Sequence, residues 1–101
     1  MKIEEISGIE DFVKESEKID ENKSREVYKV DGRAFVVANK NTIEVRTDEK
    51  LGKLLREKYE SVMESRYFGR GGIEIVNSGQ LKPDEIEDLV RLSYNLTKEI
   101  E

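Results

Sequence analysis

Residues 25–46 read REVYKVDGRAFVVANKNTIEVR, and the period of two inside this stretch decides the fold. Tyr28 and Val30, then Phe35 and Val37, then Ile43 and Val45 alternate with Lys29, Glu44 and Arg46, which is how strands with one buried face read. Asp31-Gly32 separates the first two runs. Glycine accepts the positive φ of a primed hairpin turn, so this dipeptide predicts a tight connection. Asn39-Lys40-Asn41 closes the next hairpin, asparagine being the residue that tolerates that backbone region next best. Both turns are short, so the three strands form an antiparallel meander.

Working outward, Asp48 can cap a helix running to about Tyr59, with Leu51, Leu54, Leu55 and Tyr59 at i, i+3, i+4 spacing, although Gly52 weakens it by about 1 kcal/mol against alanine. Val62 to Arg66 and Gly72 to Val76 read as two further strands. Pro83 suits the first turn of a closing helix whose inward stripe is Ile86, Leu89, Val90, Ser93, Leu96 and Ile100. On the N-terminal side, Ser7 and Glu10 have the spacing of a capping box and Ile9, Phe12 and Val13 recur at helical spacing. This predicts a helix over residues 8 to 19, followed by a loop from Asp20 to Ser24. The expected order is α-β-β-β-α-β-β-α, a single domain over residues 1–101. Its class is α+β, a two-layer sandwich in which three helices cover one face of a five-stranded antiparallel sheet. Leu54 and Leu89 are expected at the centres of their helical stripes.

Composition narrows the function classes. The 101 residues contain no cysteine, histidine or tryptophan. This removes a disulfide framework, a cysteine nucleophile, a histidine base and thiolate or imidazole metal sites. No metal or other cofactor is expected, and a non-enzymatic role follows. No apolar run approaches the 18 residues of a spanning helix, and the N-terminus lacks the basic and apolar regions of a signal peptide. No membrane association is expected, and the location is expected to be cytoplasmic. Glu and Lys supply 17 and 11 residues against five Asn and one Gln, a bias that resembles the ion-pair-rich surfaces of thermophile proteins.

The formal net charge of −5 opposes non-specific attraction to phosphate, but the charge is unevenly spread. Residues 1–22 carry −5, residues 23–58 carry +4 and residues 59–101 carry −4. If the middle strands present Lys29, Arg33, Lys40 and Arg46 together, a basic patch forms on an acidic molecule. The bland alternative pairs these cations with Glu26, Glu44 and acidic helices. The least ordinary stretch is Ser65-Arg66-Tyr67-Phe68-Gly69-Arg70-Gly71-Gly72. Glycines let backbone amides converge on an anion, arginines offer bidentate donors and aromatic faces stack on bases. A bulged hairpin turn with Tyr67 and Phe68 in the core would use the same residues. The candidate anion or nucleic-acid residues are therefore Arg66, Arg70, Tyr67, Gly71, Lys29 and Arg46, and removing Arg66 and Arg70 is expected to leave folding nearly unchanged. Tyr28, Tyr59 and Tyr94 sit on apolar faces and are expected to pack.

Val62-Met63-Glu64-Ser65-Arg66-Tyr67-Phe68, and Leu81-Lys82-Pro83-Asp84-Glu85-Ile86 continuing to Ser93-Tyr94, resemble the YjbR/MmcQ family. Val30-Asp31-Gly32-Arg33-Ala34-Phe35 is similar to that family's glycine-turn hairpin, and the resemblance spans about residues 27 to 98. It implies a two-layer domain similar to secretion-chaperone or CyaY-like folds and a DNA-binding role. The chain departs from the pattern where Tyr67 replaces a family-typical histidine and Gly69-Arg70-Gly71-Gly72-Ile73 replaces an Asn-Lys-x-His-Trp stretch. The resemblance supports weak, salt-sensitive nucleic-acid binding. The alternative is a protein-interaction or chaperone-like module that uses a sheet face, a partner protein or a homodimer interface.

Overall fold

The computed structural model describes residues 2–100. A single 3-10 turn (Ile3–Glu5) is followed by β1 (Val13–Asp20), β2 (Lys23–Val30), β3 (Arg33–Ala38), β4 (Thr42–Arg46), α1 (Glu49–Lys58), β5 (Val62–Ser65), β6 (Gly69–Val76) and α2 (Pro83–Lys98). The strands form one sheet in the order β1-β2-β3-β4-β6-β5, with every pairing antiparallel. Asp31 and Gly32 both take positive φ, 53° and 79°, as the primed turn requires.

The register assigns the two faces. Lys14, Tyr28, Val36, Val45, Ile73 and Glu64 lie in one row across all six strands, and Glu15, Val27, Val37, Glu44, Glu74 and Met63 lie in the next. Cross-strand partners share a face, so these rows belong to opposite sides. The first side carries the main core, where Tyr28, Val36, Val45 and Ile73 meet Ile86, Val90 and Tyr94 of α2 with Leu55 and Tyr59 packed alongside. Both helices therefore cover one face, and the α+β two-layer arrangement holds. The second side carries only a small cluster of Val27, Ala34 and Val37, with Phe68 laid against it.

The N-terminal helix is corrected to a strand. Gly8 and Asp11 take φ of 90° and 55°, values that interrupt a right-handed helix, and the chain from Val13 pairs with β2 instead. Ile3, Ile6 and Ile9 are buried in the helical layer, and Tyr94 Oη fixes this segment by donating to the Glu10 carbonyl at 2.9 Å. Most of the residues expected in that helix form an edge strand that carries ion pairs to its neighbour. Lys29 pairs with Glu15 and Arg25 with Glu17, each at 2.9 Å. The expected loop after it is a hairpin turn in which Asp20 Oδ1 accepts from the Asn22 amide. The sheet thus has six strands rather than five.

Helix α1 begins as expected, with Asp48 Oδ1 accepting from the Leu51 amide at 2.8 Å. Its contact stripe is rotated, however. Gly52 is its buried residue, and a Cβ there would come within 2.8 Å of Thr47 Oγ1 and 3.5 Å of Ile73 Cγ2. The helix approaches the sheet through this bare backbone, which turns Leu54 outward to 56% exposure. In α2 the stripe is Ile86, Val90, Ser93, Tyr94 and Thr97, one position round from the expected line, and Ile100 is exposed. Ser93 pins α2 to the sheet: its Oγ donates to the Phe35 carbonyl at 2.6 Å and accepts from the Arg46 amide at 2.8 Å. Accordingly, Leu54→Ala should change stability by no more than about 0.5 kcal/mol, whereas Leu89→Ala, half-buried against the core, should cost about 1 to 3 kcal/mol. Urea unfolding of the two variants checks the order, and equal losses would contradict the assigned helix faces.

Candidate functional site

The helix-free face is organised around two carboxylates. Glu44 and Glu74 are direct partners on β4 and β6, and they are 1% and 4% exposed. Two buried like charges side by side need donors, and each is supplied. Glu44 Oε1 accepts from Ser65 Oγ at 2.8 Å and the Tyr67 amide at 2.9 Å, while Oε2 accepts from Asn39 Nδ2 at 2.9 Å. Arg66 binds Glu74 in a two-pronged pair, Nε at 3.0 Å and Nη2 at 2.8 Å, and Thr42 Oγ1 donates to it at 2.7 Å. Burial alone would raise the Glu44 pKa. The donors from Asn39, Tyr67 and Ser65, with the Arg66 charge, outweigh it and hold the carboxyl below its ordinary value.

These bonds fold residues 65–68 back over the sheet as a strap. Ser65 Oγ also accepts from the Phe68 amide at 2.8 Å, closing the turn. Phe68 then covers Val27, Ala34 and Val37, and Tyr67 meets it edge-on at 4.9 Å. The strap can lie this close because position 72 is glycine. A Cβ there would meet the Val45 carbonyl at 2.5 Å and the Phe68 Cβ at 2.7 Å. Gly69 turns the chain at φ 63°. Gly71 has room for a side chain, and its contribution is its backbone, whose carbonyl accepts from the Thr47 amide at 3.0 Å.

Cations surround the strap aromatics. The Arg25 guanidinium lies 5.1 Å from the Tyr67 ring centroid and that of Arg46 lies 4.8 Å from the Phe68 centroid, both within the range of attraction to an aromatic face. Arg46 also donates from Nε to the Ala34 carbonyl at 2.8 Å, and burial lowers its pKa. The Glu15 carboxylate raises the pKa of Lys29. Of the residues singled out in the sequence, Lys29, Arg46, Arg66 and Tyr67 thus meet on one face. Arg70 is exposed on β6, with no ion pair among the described residues. Of Lys29, Arg33, Lys40 and Arg46, Lys29 pairs with a carboxylate, that of Glu15 rather than Glu26 or Glu44, and the other three have no ion pair among the described residues. Arg66 is not free of structural duty, because it neutralises a buried carboxylate. The expectation that its removal leaves folding nearly unchanged does not hold.

Sequence reasoning overlooked Arg25, Asn39 and Thr42. Arg25 lies at the start of β2 opposite Glu17, a signal visible only once β1 is known to be a strand. Asn39 and Thr42 flank a hairpin turn, where their composition has a sufficient local explanation. Tyr28 and Tyr94 are buried and Tyr59 is half-buried, all as packing residues.

A six-stranded antiparallel sheet with helices on one side and a strapped, cation-rich opposite side defines a small two-layer α+β domain. A family model described as YjbR matches residues 11–96, and the chain belongs to the YjbR family. No significant match was found among curated proteins or among solved structures. No helix among the described residues is long and apolar enough to cross a membrane.

Proposed function

We propose that this chain is a non-enzymatic cytoplasmic binding domain that contacts nucleic acid with the open face of its sheet. The observation carrying this reading is the half-exposed Tyr67 ring, with Arg25 over it and Arg46 over the adjoining Phe68 ring, on the side of the sheet that no helix covers and that also carries Lys29. Cations for the phosphate backbone and an aromatic edge for bases are what sequence-tolerant nucleic-acid binding uses. A binding role suits the carboxylates better than catalysis, because every oxygen of Glu44 and Glu74 already accepts a hydrogen bond that holds the strap or the β3–β4 turn.

The acidic total and the pairing of Lys29 and Arg25 with glutamates set the strength. With about two to four productive phosphate contacts, affinity should fall with salt at a log–log slope of about −2 to −4. Labelled single-stranded and duplex DNA titrated at low and moderate salt would measure it. Lys29→Ala with Arg70→Ala should make that slope shallower by about 1 to 2 while leaving Tm nearly unchanged, since both side chains reach solvent. Absence of binding at low salt, or a double variant that binds like the parent, would refute the nucleic-acid reading.

One observation favours a second reading, a protein-interaction module. The outer flank of β1 has no strand beside it, and Val13 and Ile19 on that strand are 60% and 52% exposed. An interface built there would be insensitive to salt and would appear as concentration-dependent mass in light scattering.

A further inference from the structure

A cleft separate from the Tyr67 cluster opens at the end of the sheet where two hairpins meet. The β1–β2 hairpin overhangs the β3–β4 turn: β2 begins at Lys23, yet its pairing with β3 begins only at Glu26 opposite Ala38. Lys23, Ser24 and Arg25 therefore have no ladder partner on the β3 flank, and backbone polar groups there face open space. Below this overhang lies a cleft of about 570 Å³, bounded by Lys23, Ser24, Lys40, Asn41, Thr42 and Arg66.

Its charge is arranged to receive an anion. Lys23 and Lys40 come from the two opposing hairpins and have no ion pair among the described residues. Arg66 lines the cleft as well. Glu74 occupies its Nε and Nη2, which fixes the guanidinium plane and leaves Nη1 without a protein acceptor among the described residues. The side chain is still 76% exposed, so a held arginine presents a free donor edge. Ile19 and Asp20 also border the cleft; set against the Asp20 carboxylate and the Glu74 carboxylate bound to Arg66, the three cations leave one positive charge in excess. Asn22 and Asn41 add neutral amides to the lining, whereas the Asn39 amide is held by Glu44 and Thr42. Two lysines as mobile point charges and one positioned guanidinium edge suit the compact, multiply charged oxygens of a phosphoryl group better than a single carboxylate.

We propose that this cleft binds a phosphoryl group through Lys23, Lys40 and Arg66. The group can come from a free polyphosphate or from the end of a nucleic-acid strand. Lys29, Arg46 and Tyr67 do not line the cleft, and of its three cations only Arg66 shares the open face with them, so the site does not depend on the open-face reading.

The test uses the whole chain and inorganic pyrophosphate, followed by amide NMR shifts and calorimetry. Saturable shifts centred on Lys23, Ser24, Lys40 and Asn41 are expected, with affinity weakened roughly tenfold or more in the Lys23→Ala, Lys40→Ala double variant. Both lysines are exposed and outside the core, so the variant should fold, and its spectrum reports that directly. The Lys29→Ala, Arg70→Ala variant should bind pyrophosphate like the parent. A 5′-phosphorylated oligonucleotide that shifts the same amides more strongly than its 5′-hydroxyl counterpart identifies a strand end as the source; equal behaviour of the two oligonucleotides assigns the site to free polyphosphate. No saturable shift at the cleft overturns the proposal, as does pyrophosphate affinity unaffected by the lysine substitutions. Shifts confined to Lys29, Arg46 and Tyr67 overturn the cleft while supporting the open-face reading.

Discussion

Phe35→Ala is expected to destabilise the domain by about 3 to 5 kcal/mol, the range for a fully buried phenylalanine whose cavity cannot collapse. Phe35 has no exposed surface. Its ring meets Tyr94 edge-on at 5.3 Å and Phe12 at 6.3 Å, so it joins strand, helix α2 and the N-terminal segment. It reaches that position through a bulge. The β2–β3 register moves from Tyr28 opposite Val36 to Lys29 opposite Ala34, leaving Phe35 as the extra residue, and both Phe35 and Val36 enter the helix-side core. Removing the ring opens a void at a junction whose walls are fixed, since the Ser93 hydroxyl binds the Phe35 carbonyl itself. For a domain of about 100 residues this is a large part of the whole stability, and Tm should drop by roughly 12 to 30 °C. Phe35→Leu should lose much less. Calorimetry and urea unfolding give the comparison, and a loss below about 1 kcal/mol for the alanine variant would show that the ring is not where α2 and the sheet join.

The same bulge shows what the sequence could and could not reveal. Alternation located β2 to β4 and β6, because each buries one face and shows the other, and Asp31-Gly32 specified its turn through backbone geometry alone. Ala34 to Ala38 is an unbroken apolar run, and the structure supplies the reason: Phe35 and Val36 go to one side, while Ala34 and Val37 go to the other under Phe68. Strand β1 was illegible because nearly all of it is exposed, so no period records its state. Its conformation is fixed by backbone pairing with β2, and the charges that match across that pairing lie 8 and 14 positions away in the chain. Helical spacing of Ile9, Phe12 and Val13 arose by coincidence, since Ile9 is buried from an extended segment and Val13 is exposed. Leu54 was misplaced for a different reason. A glycine counts against a helix in propensity, whereas here it is the residue through which α1 touches the sheet. In the candidate site, Arg66, Tyr67 and Phe68 stood out by composition. The carboxylates that position them did not, because a glutamate on an alternating strand reads as solvent-facing until the strap that covers it is known.

Replacing Glu44 tests that strap. Glu44→Ala leaves the Ser65 hydroxyl, the Tyr67 amide and the Asn39 amide group without their acceptor in a site closed to water, and should cost about 2 to 4 kcal/mol. Glu44→Gln keeps the volume but removes the charge, and one oxygen that accepted becomes a nitrogen that donates, so a smaller loss is expected. The pH dependence separates charge from shape. The folded pKa of Glu44 lies below the ordinary value of 4.5, so its ionised form contributes stability that is fully present above about pH 4.5 and is lost as pH falls through the folded value. The Tm difference between parent and Glu44→Gln should accordingly be constant near neutrality and shrink in acid. Glu4, whose pKa is also lowered through its backbone hydrogen bond and Lys14, is present in both proteins and cancels from the difference. Amide shifts of Tyr67 and Phe68 should move in the variant at neutral pH and in the parent only in acid, because the same carboxylate holds the strap in both measurements. A Tm difference that grows as pH falls would reverse the sign and show that Glu44 is held protonated; unchanged Tyr67 and Phe68 shifts would show that the strap is fixed by Arg66, Glu74 and the Phe68 packing without Glu44.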